Sequence, residues 1–145
     1  MFIENYIQRK VNKLIKKSAT SNPEIIMRTT LKHIDFNYAP LSKNLNGYYL
    51  YLSKNKRVIR VNSSLDEIKK QFVLFHETGH CVLEHEDQVL LDRADSMDSV
   101  DKLRNEYDAN LFASYFFKIH NNIDKNNLNG ICLPEYIKYL ISKFL

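Results

Sequence analysis

Two histidines four residues apart, with a glutamate directly after the first, constrain this chain more than any other segment: His76-Glu77-Thr78-Gly79-His80. Upstream of them Leu65, Ile68, Phe72 and Phe75 recur at helical spacing, and Gly79 and Leu83 continue the stripe. The spacing predicts a helix capped by Ser63 or Ser64, with Asp66 and Glu67 in its first turn. On a helix, residues four apart share a face, so His76 and His80 present two imidazoles to one metal ion. Glu77 is rotated off the ligand axis but stays beside the metal, where a carboxylate can take a proton from bound water. Gly79 lowers helix propensity, which points to a strand or a substrate backbone passing close by.

A catalytic zinc takes three protein ligands and keeps a place for water, so a third ligand is needed. The position six residues after His80 holds Glu86 rather than a histidine, which excludes the metzincin pattern. A carboxylate from a downstream helix is the other source. Arg104 to Ala113 reads as helix and carries Glu106 and Asp108. Residues two apart on a helix do not face each other, so at most one of the two reaches a metal. Glu106 is favoured because Asn110 lies four residues on, on the same face, where it can orient a ligand imidazole; Asp108 is the alternative.

The rest of the chain supplies a frame for that helix. Residues 2–17 form an amphipathic basic helix, with Tyr6, Ile7, Val11 and Leu14 on one side and Lys10, Lys13, Lys16 and Lys17 on the other. Asn22-Pro23 opens a second helix, expected to run to about Ile34, with Asp35 to Asn46 irregular. Gly47 to Leu52 and Arg57 to Val61 are strand-like and joined by a polar turn, a hairpin whose first strand offers an edge to an extended substrate. Residues 84–101 are acidic and lack calcium-loop spacing, so they read as a solvated, partly helical connection. Two helices, at about 100–119 and 134–144, close the chain. The expected architecture is α+β, mainly helical, with a small antiparallel sheet or hairpin packed on the motif helix, as one domain over residues 1–145.

Charge is divided unevenly. Residues 1–75 carry fourteen Lys or Arg against five acids, and residues 76–145 carry seven against twelve. No nucleic-acid recognition motif accompanies the basic half, so direct nucleic-acid binding is not expected. No apolar run reaches the length of a membrane span, and the acid at Glu4 interrupts any secretory signal. Cys81 and Cys132 follow no metal or redox spacing and are expected to be reduced, buried thiols in a cytoplasmic protein.

Two segments together resemble the ImmA/IrrE family of metallopeptidases. One is Phe72-Val-Leu-Phe-His-Glu-Thr-Gly-His-Cys-Val-Leu-Glu-His85, preceded by the strand Val58-Ile-Arg-Val-Asn62; the other is Glu106-Tyr-Asp-Ala-Asn-Leu-Phe-Ala113, similar to the E-x-x-A-N-x-F-A helix of that family. The resemblance covers roughly residues 45–117. It implies a minimal zincin fold of gluzincin-like arrangement, zinc held by His76, His80 and Glu106, and Glu77 as the base. It also implies a protein substrate, a helix-turn-helix repressor whose cleavage relieves repression in a phage, mobile element or stress operon. The chain departs from the family where a Leu-Met-Pro-like ending is replaced by Tyr115-Phe-Phe-Lys-Ile-His120. The oxyanion donor is left open among the tyrosines and His33, His85 and His120. The competing reading is a weakly active or non-catalytic metal-binding module that binds a partner regulator.

Overall fold

The computed structural model describes residues 2–85, 89–93 and 100–145, without the side chains of 89–93 and 100–102. Helix α1 spans Ile3–Ser18 and α2 spans Pro23–Thr29. Strands β1 (Ile34–Ala39), β2 (Leu45–Ser53) and β3 (Lys56–Asn62) follow, then helix α3 (Glu67–Val82) and strand β4 (Val89–Arg93). The long helix α4 (Val100–Asn121), a single 3-10 turn at Leu128–Gly130 and helix α5 (Glu135–Ser142) complete the chain. The α+β class is therefore observed, and the expected hairpin is β2–β3.

The sheet is larger than the hairpin and is mixed. Its order is β1-β3-β2-β4, with β1 parallel to β3 and both β3 and β4 antiparallel to β2. Two expectations are corrected here. Helix α2 stops at Thr29 rather than near Ile34, and Ile34–Ala39, most of which falls in the stretch from Asp35 read as irregular, is a strand. The reason is a period of two: Ile34 is buried and Phe36 and Tyr38 are half-buried, while Asp35 and Asn37 face solvent. The segment 47–52 is no free edge, since β3 and β4 flank it; β4, taken from the acidic stretch, holds the edge. Residues 86–88 and 94–99 of that stretch lie outside the described residues.

Helix α3 is buried on all sides between Phe72 and Cys81 because it separates two cores. Val73, Leu74 and Cys81 pack with Tyr49, Ile59 and Val61 of the sheet and with Met27 and Ile34. Phe72 and Phe75 pack instead with Leu111, Phe112 and Phe116 of α4, which in turn bury Ile7, Val11 and Leu14 of α1 and Ile137, Leu140 and Ile141 of α5. A helix so placed has no wet face along its middle, so the narrow inward stripe read from the sequence underestimates its burial. Its start also differs from expectation. Asp66 is the N-cap, accepting a hydrogen bond from Lys69 N at 2.9 Å, while Ser64 is engaged by Asn62.

Close approaches fix the position of α3. A Cβ added at Gly47 of β2 would meet Arg60 O at 2.8 Å and Val73 Cγ1 at 2.9 Å, so the absence of a side chain lets β2 pass under α3. On the other side, a Cβ at Gly79 would lie 3.1–3.2 Å from three atoms of Phe112. The neighbour of Gly79 is thus an aromatic ring of α4, not a strand or a substrate. The buried Asn62 holds the start of the layer: its Nδ2 donates to Leu45 O at 2.9 Å, and its Oδ1 accepts from Ser64 N at 3.1 Å. Cys81 is buried as expected, whereas Cys132 is exposed in the turn before α5. Among the described residues no helix is long and apolar enough to cross a membrane.

Candidate metal centre

His76 and His80 stand one turn apart on α3, facing Glu106 on the neighbouring α4. Glu106 Oε2 is 3.0 Å from His76 Nε2, Glu106 Oε1 is 3.0 Å from His80 Nε2, and the two Nε2 atoms are 3.2 Å apart. Four ligands about 2.0–2.1 Å from a tetrahedral zinc are about 3.3 Å from one another. Each imidazole is thus close to that spacing from one oxygen of the Glu106 carboxylate, and the two imidazoles are close to it from each other. Their types, two imidazoles and a carboxylate, suit zinc or a neighbouring first-row metal. This group can hold a metal ion.

Burial gives the same answer from energetics. His76, Glu77 and His80 are each 2 % exposed or less. Placing ionisable groups between two apolar cores costs several kcal/mol unless charge or coordination compensates. Burial pulls the His80 pKa down to about 4, against the opposing effect of Glu106. Burial acts to raise Glu106, but hydrogen bonding with His76 and His80 outweighs it and holds the carboxyl well below the usual range. Near neutral pH a deprotonated Glu106 carboxylate thus faces a neutral His80 imidazole, the state that a metal requires.

The other expected residues fall as follows. Glu77 Oε1 lies 3.8 Å from His76 Nε2, beside the donor triangle rather than in it. Asp108, the alternative third ligand, is outside the donor group, and burial raises its pKa. Asn110 sits one turn beyond Glu106 and is half-buried, but among the described residues it makes no hydrogen bond to an imidazole. Its expected orienting contact is therefore not formed. His85 makes that contact instead. Its Nδ1 lies 2.8 Å from His80 Nδ1. The chain reaches this geometry because α3 ends with Glu84 in a left-handed conformation, φ 60°, and His85 N then donates to His80 O at 3.0 Å. Of the remaining histidines, His33 is exposed and His120 Nδ1 is 2.7 Å from Ser21 Oγ.

Two further residues frame the site and carry no signal in a linear reading. Tyr49 of β2 stacks on His80, with ring centroids 6.0 Å apart. Arg57 of β3 donates to Cys81 O at 3.3 Å and contacts Cys81 Sγ at 3.2 Å, tying the last turn of α3 to the sheet. Both are strand residues of ordinary type; only the packing of sheet on helix brings them to the ligands.

The model of the IrrE N-terminal-like domain, Peptidase_M78, matches residues 32–117. The chain belongs to this family. The matched span contains the sheet strands β1 to β3, α3 and Glu106, so every donor of the candidate site lies in the Peptidase_M78 domain, with α1 and α5 outside it. A relative from Bacillus phage phi105, described as "Uncharacterized immunity region protein 2", is 35 % identical over 109 residues. That alignment covers 74 % of this chain and 65 % of the relative, so the chain spans just under two thirds of its length. No solved structure matches this chain.

Proposed function

We propose that this protein is a zinc-dependent endopeptidase that cuts a helix-turn-helix repressor in the cytoplasm and so relieves repression. The observation that carries the reading is the His76–His80–Glu106 triangle with Glu77 buried beside it. Peptidase_M78 membership and the immunity-region name of the phage relative support the substrate class. The 145 residues would act as one metallopeptidase domain.

His76 and His80 would bind the ion through Nε2, and Glu106 through its carboxylate. Bound there, zinc would polarise the scissile carbonyl and bring the pKa of a coordinated water near neutrality. Glu77 takes the proton of the attacking water and returns it to the leaving nitrogen. Its place at 3.8 Å from His76 Nε2, outside the donor group, supports a role as base rather than ligand. The two cores around α3 keep Glu77 and both imidazoles almost wholly buried, while Glu106 stays partly exposed.

The test is co-expression with the repressor encoded at the same locus, for the wild type and Glu77→Gln. The wild type should yield a shortened repressor. Glu77→Gln should retain about one zinc per chain and leave the repressor intact. Equal cleavage by both proteins would remove Glu77 from the mechanism, and an intact repressor with zinc-loaded wild type would overturn the substrate.

A further inference from the structure

Against the last turn of α3 lies a concavity of about 290 Å³ that the chemistry above does not use. Lys10, Lys13 and Lys17 of α1 line it together with Arg57 of β3. Leu14, Leu31 and Val82 give it an apolar floor, and Glu84 is its one acid among the described residues. Lys13 and Lys17 are exposed and Lys10 is half-buried. None of the three lysines forms an ion pair with a described residue; Lys10 sits over the Tyr6 ring at 5.5 Å. Cys81 of α3, which lines the pocket and whose carbonyl accepts from Arg57, follows the ligand candidate His80 in the chain.

The spacing of the cations selects the ligand. Positions 10, 13 and 17 recur on one helix face over about 10 Å. A single phosphate group spans far less, and of the two half-buried cations Arg57 already has Nη1 committed to Cys81 while Lys10 sits over the Tyr6 ring. Charges spread over two helical turns above an apolar floor match several separated carboxylates with an apolar side chain among them. We infer that this pocket binds an acidic, leucine-like segment of the protein substrate and holds it beside the catalytic helix. The inference rests on the peptidase reading only in identifying the bound chain as the one that is cut.

The experiment measures fluorescence anisotropy of a short labelled peptide of Glu-Glu-Leu repeats with Glu77→Gln protein, which leaves the peptide intact. Its Gln-Gln-Leu counterpart is the neutral control. The acidic peptide should bind at least about tenfold more tightly than the neutral one and weaken as salt screens the lysines. Adding Lys10→Glu, Lys13→Glu and Lys17→Glu together should reduce that binding at least about tenfold. An equal reversal at the exposed Lys54, Lys56 and Lys125, away from the pocket, should change it less than about threefold. Melting curves confirm that both triple variants fold. Equal losses in the two triple variants, or equal binding of the two peptides, would overturn the pocket. Displacement by pyrophosphate at concentrations below the peptide's own Kd would overturn the assignment to an acidic chain in favour of a phosphate-bearing small molecule. Acidic-peptide binding that passes these controls, in a protein whose wild type cuts nothing, would support the pocket and sink only the peptidase reading.

Discussion

His85 Nδ1 lies 2.8 Å from Nδ1 of His80, on the side of the ring opposite the nitrogen that faces Glu106. This contact orients the ring of a ligand candidate, a task that Asn110 does not perform here. Outer partners of metal-bound histidines typically govern affinity by about 10–100-fold. His85→Ala should therefore weaken zinc binding by about that factor, while Asn110→Ala should leave it within about threefold. Competition with a chromogenic chelator measures both. Equal losses would restore Asn110 to the site.

The choice between the two acids of α4 is equally direct. Glu106→Ala removes one corner of the donor triangle and should leave the purified protein with little zinc. Asp108→Ala, outside the triangle, should retain about one equivalent. Elemental analysis separates them, and the reverse result would move the third ligand to Asp108.

Acid should weaken the metal-free protein over a defined window. His80 is held at about 4 in the folded state against 6.5 ordinarily. Between those values the unfolded chain takes up a proton that the folded chain refuses, so unfolding is favoured as pH falls. The stability is fully present above 6.5 and is lost progressively toward about 4, amounting to about 3 kcal/mol over the whole window. Denaturant midpoints of the chelator-treated protein at pH 7 and pH 5 test this. Glu106, held low, adds a loss of the same sign below its unfolded value. A flat profile from pH 7 to 5 would mean that His80 is not buried neutral.

Gly79 and Gly47 should differ in how badly they accept alanine. At Gly79 the helix would gain about 1 kcal/mol of propensity. The new methyl meets Phe112 at 3.1–3.2 Å, however, and that ring is fully buried against Phe116. Overpacking costs of about 1–3 kcal/mol outweigh the gain, so Gly79→Ala should be destabilising by about 1 kcal/mol. At Gly47 the obstacle at 2.8 Å is a backbone oxygen, which cannot rotate away, and Gly47→Ala should cost more. Thermal melts that rank the two in the opposite order would contradict the packing described.

Much of the site was legible in one dimension because its parts are helical. His76, Glu77 and His80 lie within five residues, and the 3.6-residue period alone puts the two imidazoles on one face. Glu106 could be preferred to Asp108 on similar grounds, although the reason given, its partner at Asn110, was not the one that operates. The hairpin and the α+β class followed from alternation and turn chemistry in the same local way. What local rules could not supply were relationships across the chain. The parallel pairing of β1 with β3 joins segments more than twenty residues apart, and it turned a stretch read as irregular into a strand. The burial of α3 on every side needed the sheet below and α4 above. Once those were in place, Phe112 explained Gly79, Arg57 secured the end of the helix, and a left-handed Glu84 folded His85 back onto His80. Sequence by itself determined which side chains could hold a metal, because periodicity is a property of neighbours. The tertiary structure decided which of them meet, what orients them and how dry the site is, because those depend on packing between elements that no local pattern specifies.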